Sequence, residues 1–103
     1  MQRKLVRDRI PEIITADGLD PVITVAGQDE YERELRRKLT EEVSEYRSAG
    51  PAEAVEELAD VLEVVYALAR VHGADAAELD RVRRAKAEER GAFDRRLIWH
   101  GNR

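Results

Sequence analysis

The chain has 103 residues, 39% of them charged and 5% aromatic, with a formal net charge of -4 and no cysteine. That length suits one domain, residues 1–103, with a modest core, because so short a chain keeps much of its surface wet and gains from pairing with further copies. Charges of both signs are interspersed, which gives no basic stripe for a nucleic-acid polymer, and the lack of cysteine excludes a disulfide framework and a thiolate zinc site.

The basic start (Arg3, Lys4, Arg7, Arg9) runs into Pro11 and Glu12 instead of an apolar stretch, so it does not read as a secretory signal. No run approaches the roughly 18 apolar residues of a membrane span, and a cytoplasmic location is the default expectation. Residues 2–9 read as an extended or irregular lead-in. Pro11 suits a first helical turn and Gly18 a stop, which predicts a short helix near 10–17. Pro21-Val22-Ile23-Thr24-Val25 is rich in β-branched residues and predicts an extended segment or short strand.

From Asp29 the pattern turns helical, with Glu32 three residues after that cap and a stripe of Leu35, Leu39, Val43 and Tyr46, until Ser48-Ala49-Gly50 ends it. Pro51 opens a second long helix to about Val71, stopped by His72-Gly73. Asp75 with Glu78 begins a third long helix that ends near Gly91. The tail, Arg95 to His100, holds an apolar triplet that fits either a short strand or a docking segment.

Two carboxylate pairs stand out. Glu42 and Glu45 on the first long helix, and Glu57 and Asp60 on the second, share a three-residue spacing that makes each pair neighbours on one face. The short turn at Gly50-Pro51 predicts antiparallel packing that brings the pairs face to face. Four such groups repel one another unless a cation neutralises them, and oxygen donors without His or Cys favour Mg²⁺ or Mn²⁺ over zinc.

The plain alternative is that glutamates on helices decorate a solvated face. At about 100° per residue, Glu56, Glu63 and Arg70 form the wet face of the second long helix, whereas Glu57 points with Val61, Val64 and Leu68. Asp60 lies at the border of that arc, and Glu42 and Glu45 flank the Leu35-Leu39-Val43 stripe. An unpaired carboxylate beside a core is costly, which favours the ligand reading.

On the third long helix the same wheel puts Lys86 and Arg90 on the arc of Leu79, Val82 and Phe93. Facing inward, they would grip phosphate oxygens, with structural ion pairs to Glu57 or Asp60 as the alternative. His72 and His100 read as helix-end or surface residues, Phe93 and Trp99 as packing residues. The six glycines form no Walker or dinucleotide fingerprint.

Glu41-Glu42-x-x-Glu45 followed by Glu57-x-x-Asp60 resembles the signature of the MazG-like, all-alpha nucleoside triphosphate pyrophosphohydrolase superfamily. The opening Lys4-Leu5-Val6-Arg7-Asp8-Arg9-Ile10-Pro11-Glu12-Ile13-Ile14 and the later Lys86-Ala87-Glu88-Glu89-Arg90-Gly91-Ala92-Phe93 are similar to its house-cleaning branch, so the likeness spans nearly the whole chain. The resemblance implies an all-α, antiparallel helical bundle with short extended terminal segments, assembled as a homodimer or homotetramer. It implies hydrolysis of a nucleoside triphosphate between the α and β phosphates. Glu42, Glu45, Glu57 and Asp60 would hold Mg²⁺, Glu41 would orient or deprotonate the attacking water, and Lys38, Lys86 and Arg90 would bind phosphates.

Phosphoribosyl-ATP pyrophosphohydrolase of histidine biosynthesis is similar in fold and carboxylate arrangement, but the lead-in and the Arg-Gly-Ala-Phe ending favour the house-cleaning branch. A non-catalytic helical interaction protein is the reading from another class. Its signature would be a gap in the carboxylate quartet, and all four members are present.

Overall fold

Helix boundaries follow from the punctuation in the chain. In the computed structural model, which describes residues 3–103, α1 spans Ile10–Ala16, α2 Gln28–Ser48, α3 Ala54–Val71 and α4 Ala76–Arg90. Pro11 occupies the first turn of α1, where its missing N–H leaves no bond unmade. Gly18 and Gly73, both at φ +83°, close α1 and α3. The amide after each glycine donates to a carbonyl five residues back, Leu19 to Ile14 and Ala74 to Ala69, which satisfies helix-end acceptors. At the start of α4 the Asp75 carboxylate accepts from the Glu78 amide at 2.8 Å, the cap expected from the sequence.

Of the two forms expected for residues 21–25, an extended segment or a short strand, the strand is not made, and no strand occurs among the described residues. Val22 and Val25 are exposed there, because β-branched residues make a strand only where another segment offers a ladder. The second long helix begins at Ala54 instead of Pro51. The Glu53 amide donates to the Gly50 carbonyl at 3.1 Å, closing a turn with Pro51 in its second position. The lead-in is irregular from Arg3 onward, and its Gln2 lies outside the described residues. The tail from Gly91 is exposed throughout and its apolar triplet forms no strand.

The protein is all-α, and α2 and α3 pack as an antiparallel pair. α4 meets α3 briefly and reaches neither α1 nor α2. Among the described residues, Leu35 of α2 and Val64 of α3 are the large apolar side chains that are buried, and Glu34 and Glu42 are buried as well.

The uncovered surface follows from the width of the apolar arcs. On α3, at about 100° per residue, Val64, Leu68 and Val61 cluster on the side that meets α2, while Leu58, Leu62 and Val55 continue the arc by roughly another quarter turn. One neighbouring helix covers half of that. Leu58 and Leu62 remain 47% and 46% exposed.

On α2 the i, i+4 stripe drifts by about 40° per step, so Val43 stands away from Leu35 and is exposed with Tyr46. The radius of gyration, 17.8 Å, exceeds the roughly 13 Å of a compact chain of about this length. Among the described residues no helix is long and apolar enough to cross a membrane.

Candidate metal centre

Seven residues are almost two helical turns, so a residue and its seventh neighbour lie nearly in line along a helix. Glu42 stands seven after Leu35 on α2, and Glu57 seven before Val64 on α3. The two buried apolar residues and these two carboxylates therefore lie along one seam. Asp60, three residues after Glu57, borders the same seam. One carboxylate oxygen each from Glu42, Glu57 and Asp60 lie within 4.8 Å of one another.

Charges that close are costly together, roughly 3.5 kcal/mol per pair at an effective dielectric of about 20. Two cations offset part of the cost. Lys38 Nζ, one turn before Glu42, is 3.3 Å from Glu42 Oε1 and 3.9 Å from Glu41 Oε1. Arg7 Nη2, from the lead-in, donates to Asp60 Oδ1 at 2.7 Å. Among the described residues Glu57 has no such partner, and its Oε2 is buried without a hydrogen bond.

A carboxylate oxygen shut away from both water and donors is an expensive arrangement in a protein interior. A shared cation removes the expense. Opposite oxygens around octahedral magnesium are about 4.2 Å apart, so the spacing observed here needs only small side-chain adjustments. An all-oxygen donor set fits a hard ion such as magnesium or manganese.

Glu45 belongs to the same neighbourhood although its carboxylate is exposed and is not among the three converging oxygens. The charge of Glu42 raises its pKa above the ordinary value. Loss of solvent, a hydrogen bond shared with Glu42, and the charges of Glu57 and Glu41 push the same way. Its carboxyl thus senses the cluster one turn away.

A cavity of about 470 Å³ adjoins the cluster, walled by the lead-in on one side and by α2 and α3 on the other. Arg7, Lys38, Glu42 and Asp60 all line it. Its size falls in the range of small-molecule sites.

Comparison with known proteins adds one relative. The chain is 53% identical over 51 residues to an uncharacterized protein of Mycolicibacterium smegmatis, and the match covers 50% of this chain and 52% of that one. The matched stretch thus spans about half the length of that curated relative. No family model matches the chain, and no solved structure matches it.

Of the expected site residues, the fold brings Glu42, Glu57 and Asp60 together, with Lys38 bound to the first and Glu41 and Glu45 alongside. Glu42 is central where the sequence suggested a flanking position, since it stacks over Leu35 while Val43 rotates away. Lys86 and Arg90 do not face inward in this chain. Both are exposed on α4, and among the described residues neither pairs with a carboxylate. Little covers their end of the arc, because α4 meets α3 only briefly and Val82 and Phe93 of the same arc are 46% and 95% exposed.

The roles of two residues were not readable from the sequence. Arg7 sits 53 positions from the carboxylate it binds, beyond any spacing rule. Glu34, only 8% exposed, is held by Arg37 at 3.2 Å and Arg3 at 3.9 Å. A carboxylate one residue before the buried Leu35, with a cation three residues on, was the available signal. Through Arg3 and Arg7 the lead-in is tied to α2 and to α3 respectively.

Proposed function

We propose that the chain is a subunit of a magnesium-dependent hydrolase of MazG-like type that splits nucleoside triphosphates, non-standard or damaged ones included, into monophosphate and pyrophosphate. The observation that carries this reading is the convergence of one oxygen each from Glu42, Glu57 and Asp60 within 4.8 Å, on a set that includes Glu57, whose Oε2 is buried without a hydrogen bond. It stands on the residues whose order resembles that superfamily.

Glu42, Glu57 and Asp60, joined by Glu45, would hold the ion, with manganese able to replace magnesium. When bound, the ion polarises the phosphate, makes a water more acidic and neutralises charge on the departing pyrophosphate. The side chains do the positioning. Glu41, beside the cluster and linked to Lys38, would orient the attacking water or take its proton. Lys38 lines the cavity that would receive the polyphosphate.

Lys86 and Arg90 act on phosphates in the assembled protein, a homodimer or homotetramer. The open arcs of α3 and α4 support that assembly. A helix surface with Leu58, Leu62 and Val82 uncovered gains stability by meeting a second copy, as in a bundle of antiparallel helices.

A panel of ordinary and damaged triphosphates together with phosphoribosyl-ATP, incubated with Mg²⁺, tests the reading through the product released. Pyrophosphate from triphosphates supports it. Release of single phosphate, or turnover of phosphoribosyl-ATP alone, overturns the assigned reaction or substrate. Asp60→Asn and Glu45→Gln are expected to abolish pyrophosphate release with helical content intact by circular dichroism. Unchanged turnover in both variants would remove the carboxylates from the mechanism and leave a helical interaction protein.

A further inference from the structure

The lead-in covers the cavity beside the carboxylate cluster, and its Arg7 makes that segment's direct contact with a cluster member, Asp60. Four basic and four acidic side chains line the cavity, so its wall is charge-balanced. A polyphosphate anion gains little from such a wall. The balance shifts only if some of the carboxylates are engaged by another cation, which leaves their former partners in excess.

We propose that Arg7 is a phosphate-binding residue kept in reserve on Asp60, so that cation binding at the cluster and polyphosphate binding in the cavity are coupled through this one guanidinium. The inference rests on the metal reading above. While Asp60 is free, Arg7 is its counter-charge. Once Asp60 is engaged by a divalent cation, Arg7 loses its partner but remains attached to the cavity wall, able to fork onto phosphate oxygens. Lys38, shared between Glu42 and Glu41, responds in the same direction.

The arrangement also gives the lead-in a purpose beyond packing. Arg3 fastens it to Glu30 and Glu34 of α2, away from the cluster, and so holds the segment in place whichever partner Arg7 has. The pair with Asp60 is half-exposed on both sides, which makes it weak enough to exchange.

The coupling predicts opposite signs for one substitution. In the full-length protein, Arg7→Ala removes the competitor for Asp60, and Mn²⁺ alone, followed by electron paramagnetic resonance, binds about 2- to 5-fold more tightly. The same variant binds pyrophosphate in the presence of saturating Mn²⁺ about 10- to 100-fold more weakly, the usual cost of losing a charge-assisted contact. Arg7→Lys recovers part of the pyrophosphate affinity. Arg3→Ala, which loosens the segment without touching the cluster, does not tighten Mn²⁺.

If Arg7→Ala weakens both ligands together, or changes neither, Arg7 only fastens the segment and the coupling is overturned while the metal reading stands. If the wild-type protein binds no Mn²⁺, the metal reading fails and the coupling fails with it.

Discussion

The α2–α3 hairpin and α4 are both highly charged helical regions, yet they handle charge in different ways. In the hairpin, buried Glu42 is held by Lys38, and Asp60 is met by Arg7 from a remote segment. On α4 the ion pairs are local, Arg81 with Glu78, Arg83 and Arg84 with Asp80, each three or four residues apart on an exposed surface. Such pairs support a helix on its own by a few tenths of a kcal/mol each and do not fix it against anything else.

The contrast teaches where the chain is complete. The seam between α2 and α3 closes within this chain, with Glu42, Glu57 and Asp60 already converging, whereas α4 leaves Val82 46% exposed.

The largest expected effect breaks the hairpin side of the contrast. Asp60→Asn removes a charge from the cluster while keeping side-chain shape, and pyrophosphate release should fall on the order of 100-fold or more with the fold intact. Next comes the open side. Leu62→Asp places a charge on the uncovered arc of α3, and sedimentation should then show a monomer in place of the dimer or tetramer proposed for the wild type. The wild type's melting temperature should also rise with protein concentration, as expected when association stabilises the folded state, and that dependence should vanish in the variant. A wild type that sediments as a monomer at every concentration would mean the apolar arcs are simply tolerated.

How much of this was legible in the sequence depends on whether a residue's partner lay on its own helix, on the next one, or outside the chain's local pattern. Glu57 could be turned inward because Val61, Val64 and Leu68 fix its side of α3. Asp75 could be given its capping role because the acceptor and the Glu78 amide are three residues apart. The centrality of Glu42 was blurred because the i, i+4 stripe of Leu35, Leu39 and Val43 drifts around the helix, and the stripe alone does not tell which part meets α3. The pairing of Arg7 with Asp60 was invisible, since no periodicity links an irregular segment to a helix 53 residues away. Lys86 and Arg90 were expected to face inward because a helical wheel gives the side of α4 that seeks cover, not whether this chain supplies it.

A smaller effect tests how α4 begins. Asp75→Ala removes the acceptor for the Glu78 amide and should cost about 1 kcal/mol, read as a lowered melting temperature, with the carboxylate cluster undisturbed. An equal loss of cation-dependent activity would show instead that the start of α4 positions the site.

The smallest expected effect concerns Glu45, whose carboxyl is exposed beside the cluster. Glu45 has a folded-state pKa raised above 4.5, chiefly by the charge of Glu42. For an acid shifted upward, the folded state favours the protonated form. Its relative contribution to stability is fully present below the unfolded pKa and is lost as pH rises through the raised value, so at neutral pH the ionised Glu45 opposes folding. Glu45→Gln should therefore raise the melting temperature of the metal-free protein slightly at pH 7 and have no such effect in acid, where the wild-type carboxyl is already neutral. Divalent cation should narrow the difference at pH 7 by offsetting the same repulsion in the wild type. A variant less stable than wild type at neutral pH would mean that Glu45 contributes a favourable contact outweighing its neighbours' charge, and the picture of a crowded, cation-seeking acidic seam would have to be redrawn without it.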